Sequence, residues 1–253
     1  MQQVLLDVWG VLHDGRRPYP DAVRFLERAR RAGVRVDIVT NASWTRERVV
    51  AGLRAFGFDL AGVADVWTAG TIAREIVRER APRRVAYEGR EVGAWLVEGF
   101  DVVDVARAEL LVFADPTPAS VAVLGRALEA GVPVLCANPD MFIEDRHGAR
   151  TEKAGRLAAA HEAAGGTVLR AGKPDPRIFR RAAVSDRAVM IGDGALTDLA
   201  GAHAAGLPAV WVCRRPGPDF DAVVARWRPA AVVRDLDGIP SSALGLSGDC
   251  NNG

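Results

Sequence analysis

The stretch Val4-Leu5-Leu6-Asp7-Val8-Trp9-Gly10-Val11-Leu12 decides how this chain is read. Residues 4–8 form a short apolar run that carries one acid, Asp7, near its end. Consecutive apolar residues over so few positions predict a strand covered on both faces, as in a parallel sheet. Working outward, residues 21–32 repeat with helical period. Ala22, Phe25, Leu26 and Ala29 share one stripe, and Gly33 follows as a stop signal. Residues 34–39 predict a second strand running into Thr40-Asn41, and residues 44–56 a second helix. Strand and helix in alternation are the pattern of an α/β fold with a mainly parallel sheet.

The alternation continues beyond a turn region at 57–62. From Val63 a second series follows, with helices over 71–80, 91–98, 118–129 and 151–164 and extended runs over 84–87, 110–113 and 132–137. Lys173-Pro174 opens a third, with helices over 178–183, 195–205 and 220–227 and strands over 188–191, 209–212 and 231–233. The tail, 241–253, is small, polar and rich in Gly, Ser and Asn, and disorder is expected there.

Composition narrows the function classes. At roughly 150 residues per domain, 253 residues allow one large domain or two modest ones. With 49% hydrophobic residues the chain can build a full core. Lys plus Arg (33) nearly balances Asp plus Glu (32), which argues against a dedicated nucleic-acid or membrane-surface binder. Three widely spaced cysteines give neither a disulfide framework nor a zinc pattern. No apolar run reaches the roughly 18 residues that span a bilayer. The N-terminus enters a strand-like run at once, leaving no room for a secretion signal, so a cytoplasmic protein is expected.

Four segments share one placement, at or just past the end of a predicted strand: Asp7-Val8-Trp9-Gly10-Val11-Leu12, Thr40-Asn41, Lys173-Pro174 and Gly192-Asp193-Gly194-Ala195-Leu196-Thr197-Asp198. Ligands of open α/β sheets bind at that edge. An acid, a hydroxyl with an amide, a lysine and two further acids meeting at one sheet edge are a kit for phosphoryl transfer. A carboxylate attacks phosphorus, a metal neutralises charge, and a hydroxyl and a cation hold the oxygens.

On these residues the chain resembles the haloacid dehalogenase (HAD) superfamily. Asp7 before Gly10-Val11-Leu12, strand-end Thr40, Lys173 in Gly-Lys-Pro, and Gly192-Asp193 through Thr197-Asp198 match its four motifs in order. The second series resembles the class IIA cap of N-acetylglucosamine-6-phosphate-phosphatase-like and p-nitrophenylphosphatase-like proteins, with Ala137-Asn138-Pro139-Asp140 like that class's Thr-Asn-Pro-Asp. The resemblance implies an α/β fold: a Rossmannoid core with a parallel sheet, residues 1–62 and 167–253, and an inserted α/β cap, residues 63–166. It further implies Asp7 as nucleophile, Thr40 and Lys173 as holders of the phosphoryl oxygens, and Mg²⁺ held by Asp7, Asp193 and the backbone carbonyl of Trp9. Asp198 would support the metal shell. Asn41 is expected to donate to a phosphoryl oxygen, and Asn138 and Asp140 to line the substrate site. The expected partner is a small phosphorylated metabolite, without nucleic acid or membrane, and a homodimer is the candidate assembly.

One departure changes the chemistry. Phosphatases of the family carry a second acid two residues after the nucleophile, which protonates the leaving oxygen. Here that residue is Trp9, whose indole has one N–H and no proton that titrates near neutral pH. The family's dehalogenases have a Tyr there, attack carbon and need no metal. Three readings follow: a Mg²⁺-dependent phosphate hydrolase or phosphotransferase, a metal-free hydrolase acting on carbon, and a silent phosphometabolite-binding protein. His13 and Asp14 are read as members of the turn after the first strand, with His13 as the alternative proton donor. Trp44 either floors a pocket or packs at a helix start.

Overall fold

Residues 2–144 and 147–240 are described by the structure, a computed structural model. The tail for which disorder is expected, 241–253, lies outside the described residues. In chain order the first elements are β1 (Gln3–Leu6), α1 (Pro20–Arg31), β2 (Arg35–Thr40), α2 (Arg46–Ala55), β3 (Val63–Thr68), α3 (Ala69–Arg80), β4 (Arg84–Glu88), β5 (Asp101–Val102) and β6 (Leu110–Phe113). There follow α4 (Ser120–Glu129), β7 (Val134–Cys136), β8 (Phe142–Glu144), β9 (Arg150–Glu152), α5 (Ala154–Ala163) and β10 (Val168–Arg170). The last are α6 (Pro176–Ala182), β11 (Ala188–Gly192), α7 (Ala200–Ala205), β12 (Ala209–Val212), α8 (Phe220–Trp227) and β13 (Ala231–Val233).

The expected α/β class is what forms. Contacts divide the chain into two units. One comprises the described residues of Met1–Val39, Val50–Val66 and Phe179–Gly253, and the other Thr40–Val49 and Trp67–Ile178. A six-stranded sheet runs β13-β12-β11-β1-β2-β3. β1 pairs in parallel with both β11 and β2, as β12 does with β11 and β13. Every residue of β1, β11 and β12 is buried, which is why the sequence shows unbroken apolar runs there and no alternation. The polar exception is Gln3, wholly buried in β1. Its amide donates to Asp37 Oδ2 at 2.6 Å and to the Ala182 carbonyl at 2.8 Å, and it accepts from the Val184 and Ser185 N–H groups. A buried amide with all these partners fixes register where an apolar residue would not. Helix α1 starts with Pro20 and buries Ala22, Phe25, Leu26 and Ala29, the stripe read from its period. Full burial of a side chain such as Phe25 contributes about 2 kcal/mol.

The second unit has its own five-stranded parallel sheet, β10-β7-β6-β4-β5, and a β8–β9 hairpin. Leu111, Phe113, Val134 and Cys136 from the sheet pack with Leu124 and Ala127 of α4 and Ala154 and Ala158 of α5. Burial pushes the Cys136 thiol up to about 12, so it behaves as a small apolar side chain.

Several expectations shift. Val63–Thr68 is an edge strand of the six-stranded sheet, so that sheet runs beyond residue 62, where the cap was expected to begin. Val168–Arg170 pairs with β7 in the five-stranded sheet, so that sheet runs beyond 166. The strand is three residues long and too short to show a period, which is why the sequence hides it. Residues 91–97 form a 3₁₀ helix. The helix expected over 195–205 begins as a π turn, because the N–H groups of Asp198 and Leu199 both donate to the Gly194 carbonyl.

Candidate active site

Two groups of the expected residues come together, one in each unit. The first is Asp7, Asp193 and Asp198, each offering a carboxylate oxygen with all three oxygens within 4.8 Å of one another. Asp7 follows β1, and its N–H donates to the Ile191 carbonyl of β11 at 3.0 Å, continuing the parallel ladder. Asp193 follows β11 and is exposed. Its backbone carbonyl accepts from the Trp211 indole at 2.9 Å. Asp198 is wholly buried, and its Oδ2 accepts from the Gly194 N–H at 2.9 Å. The π turn therefore bends the chain back so that the residue five after Asp193 faces it. Gly10 completes the packing. Its φ is +79°, and a Cβ there would lie 1.9 Å from Asp193 Oδ2, so only glycine lets this loop pass the carboxylate.

Three carboxylates this close repel one another, and a cation removes that repulsion. Their hard oxygen donors fit a magnesium- or calcium-like ion. Trp9, whose carbonyl was the third expected ligand, is half-buried. Its ring meets His13 edge-on, 5.6 Å between centroids, and reaches over Gly15.

His13 is poorly placed to replace the missing acid. Its ring stacks on Phe56 at 4.5 Å, and Nδ1 accepts from the Gly15 N–H at 2.9 Å, which leaves its single proton on Nε2. Burial drives its pKa down to about 4, with the Asp14 charge opposing. A general acid works best near the operating pH, and His13 is neutral there. Asp14 is buried with Oδ1 accepting from the Arg16 and Arg17 N–H groups, so it builds the turn. A depressed histidine pKa implies acid lability. The neutral ring stabilises the fold fully above the unfolded-state pKa of about 6.5, and that stability is lost as pH falls toward 4. The full shift corresponds to about 3 kcal/mol. Urea midpoints at pH 7 and 4.5 should fall apart in the wild type and much less in His13→Asn, which keeps an acceptor toward Gly15. Equal drops in both proteins would assign the acid lability to other groups.

The second group is Asn41, Asp140 and Lys173. Asn41 Nδ2 donates to Asp140 Oδ1 at 2.7 Å and to the Lys173 carbonyl at 3.0 Å, and Asn41 Oδ1 accepts from the Lys173 N–H at 2.7 Å. Both N–H bonds of the side-chain amide are engaged in this conformation. Lys173 is buried and follows β10. The four segments were expected at one sheet edge. Three follow strands of the six-stranded sheet, whereas Lys173 follows a strand of the five-stranded one. Thr40 closes β2 as its last residue and is buried. Asn138, also buried, lies in the loop after β7 with Asp140. Trp44 is partly exposed and carries the Arg48 guanidinium over its ring at 5.1 Å, which favours the packing reading.

Arg214 is a loop-holding residue that the motif reading missed. Its guanidinium donates to the Gly10 and Val11 carbonyls at 3.0 and 3.1 Å, forks onto Asp21, and lies 3.7 Å from the centre of the Tyr19 ring. It holds the loop that carries Trp9 and Gly10. The signal was present: Arg214 lies two residues past the end of β12, at the same kind of strand terminus as the motifs.

Comparison with known proteins gives the class. A family described as haloacid dehalogenase-like hydrolase matches residues 4–102, and a HAD-hydrolase-like family matches residues 170–239. The chain is 30% identical over 251 residues to the D-glycerol 3-phosphate phosphatase of Mycobacterium tuberculosis, covering 92% of this chain and 69% of that protein. A haloacid dehalogenase-like hydrolase from Brucella suis superposes with a TM-score of 0.79 at 32% identity, covering 93% and 95% of the two chains. A glycerol phosphate phosphatase from Mycobacterium tuberculosis in complex with magnesium superposes with a TM-score of 0.77 at 29% identity, covering 93% and 75%. The chain belongs to the haloacid dehalogenase-like hydrolases. It is an enzyme of that superfamily, and its named relatives are phosphatases. Among the described residues no helix is long and apolar enough to cross a membrane.

Proposed function

We propose that this chain hydrolyses phosphate esters or phosphoanhydrides of a small metabolite, or transfers the phosphoryl group, through an aspartyl-phosphate on Asp7 with Mg²⁺ bound. The observation that carries this reading is the convergence of Asp7, Asp193 and Asp198 within 4.8 Å. A structural role would not place three acids together, because their repulsion costs stability. The magnesium complex of the glycerol phosphate phosphatase supports the choice of ion. Asp7, Asp193 and the Trp9 carbonyl would hold it, with Asp198 behind them, and the bound ion would supply charge neutralisation for the phosphoryl oxygens.

In this reading the Asp7 carboxylate forms a bond to phosphorus as the bond to the leaving oxygen breaks. Water then attacks the phosphorus of the acyl phosphate, inorganic phosphate leaves, and the carboxylate is regenerated. Thr40 and Lys173 would hold the phosphoryl oxygens. Asn138 and Asp140 would face the substrate, and a core with an inserted cap belongs to the same reading. So do a cytoplasmic location and a homodimer, the latter readable by sedimentation.

The test is phosphate release across a panel of phosphometabolites with and without Mg²⁺, joined to calorimetry of the metal. Asp193→Asn removes one charged ligand. It should weaken Mg²⁺ binding by at least about 10-fold, the scale on which metal sites respond to lost support. Equal affinity in the two proteins would overturn the metal assignment.

A further inference from the structure

The Asn41 carboxamide joins two loops through three hydrogen bonds, and its place in the motif does not require that. We propose that Asn41 and Asp140 form a positioning clasp that sets the backbone of Lys173. The inference rests on the reading of Lys173 as a phosphoryl holder.

The geometry is specific. The Asn41 amide meets the N–H and the C=O of one residue, Lys173, at 2.7 and 3.0 Å, a two-point grip like that of a strand neighbour. Its remaining N–H meets Asp140 Oδ1 at 2.7 Å. A negatively charged acceptor makes this the strongest of the three and fixes which way the amide faces. Room for the grip comes from Gly172. Its φ is +98°, and a Cβ there would lie 2.5 Å from Asn41 Oδ1. The far side of the clasp is also held, since the Asp140 carbonyl accepts from the Gly155 N–H at the start of α5.

The loop that carries Asn41 is anchored in the same unit. Ser43 Oγ donates to Asp115 Oδ2 at 2.9 Å, and the Ser43 carbonyl accepts from the Trp95 indole at 3.1 Å. The Ala42 carbonyl accepts from the Gly70 N–H, and the Trp44 carbonyl from the Thr68 hydroxyl. Asn41 is therefore a fixed jaw. Lys173 has a four-carbon stem with many rotamers, and a lysine that must meet one oxygen gains most from a backbone that does not move. Asp140 is needed here for its charge and acceptor oxygen, a role that a place beside the substrate does not by itself require.

The clasp predicts a pattern among conservative variants. Asn41→Asp keeps the acceptor toward the Lys173 N–H, loses both donors and sets a second carboxylate against Asp140. Its kcat should fall on the order of 10²-fold, the scale of a misplaced catalytic group. Adding Asp140→Asn restores a donor–acceptor pair and removes the repulsion, so the double variant should recover a large part of that loss. A residue needed only for stability would show lower melting temperatures and unchanged kcat in the folded fraction. A residue that only contacts substrate would show additive losses and no rescue. Either result overturns the clasp. If the wild type releases no phosphate from any substrate, the parent reading fails instead. The clasp is then read from melting temperature against pH. The Asn41→Asp protein should gain stability as pH falls from 8 to 5, since two adjacent carboxylates share a proton, and Asp140→Asn should abolish that gain. A pH profile of Asn41→Asp like that of the wild type would overturn the clasp without reference to activity.

Discussion

Asp7→Asn is expected to lower turnover by at least about 10³-fold, since losing the nucleophile removes the covalent route and leaves only binding and electrostatics. The fold should survive. Asp7 is buried and joined to Ile191 through its backbone, and Asn has the same shape. Without metal the variant should be at least as stable as the wild type. One of three mutually repelling charges is gone, a gain of about 1 kcal/mol at the distances involved. Loss of activity with no loss of stability is what separates a functional acid from a structural one. Beryllium fluoride, which mimics an aspartyl-phosphate, should bind the wild type in the presence of Mg²⁺ and not bind Asp7→Asn. A fully active Asp7→Asn enzyme would refute the covalent route.

The legible part of the site is the part that depends on strand ends. Asp7 and Asp193 each end or follow a buried, largely apolar run, and such runs can be read from hydrophobicity alone, while Thr40 closes a strand that is buried but for its first residue. What the sequence conceals has two physical sources. Short elements have no period, so β10, the strand that Lys173 follows, leaves no signal in the sequence. Hydrogen bonds between distant residues leave no local trace either. Asn41 lies 132 positions from Lys173, and nothing near either residue announces that one amide grips the other. Arg214 stands between these cases. Its position after β12 was readable, but its grip on Gly10 and Val11 depends on a sheet order that only the fold supplies. The π turn before Asp198 is similar: the spacing of two acids was visible, and the backbone distortion that makes them face each other was not.

Trp9 sets the second large expectation. An alkyl alkoxide is a strong base, and breaking its bond to phosphorus without a proton leaves the full charge on oxygen. Positioned proton transfer is typically worth about 10²–10⁴-fold. The loop after Asp7 supplies no titrating donor: Trp9 has only an indole N–H, His13 is neutral with Nδ1 held by Gly15, and Asp14 is turned toward its own backbone. The chain should therefore cleave acyl and aryl phosphates, whose leaving groups are weak bases, much faster than alkyl phosphates. A plot of log kcat/KM against leaving-group pKa should be steep. Trp9→Asp should flatten it by raising the alkyl end, about 10²-fold if the carboxylate reaches the oxygen. The substitution also removes a ring that packs against His13, so Trp9→Asn is the control that loses the same packing without adding an acid. A flat plot for Trp9→Asp and a steep one for both Trp9→Asn and the wild type would assign the effect to the proton. Equally shallow slopes in all three would place the donor elsewhere in the chain and overturn this account of Trp9. The structure has already removed the nearest alternative: a His13 ring stacked on Phe56 cannot turn toward a leaving group without giving up both that contact and the Gly15 N–H.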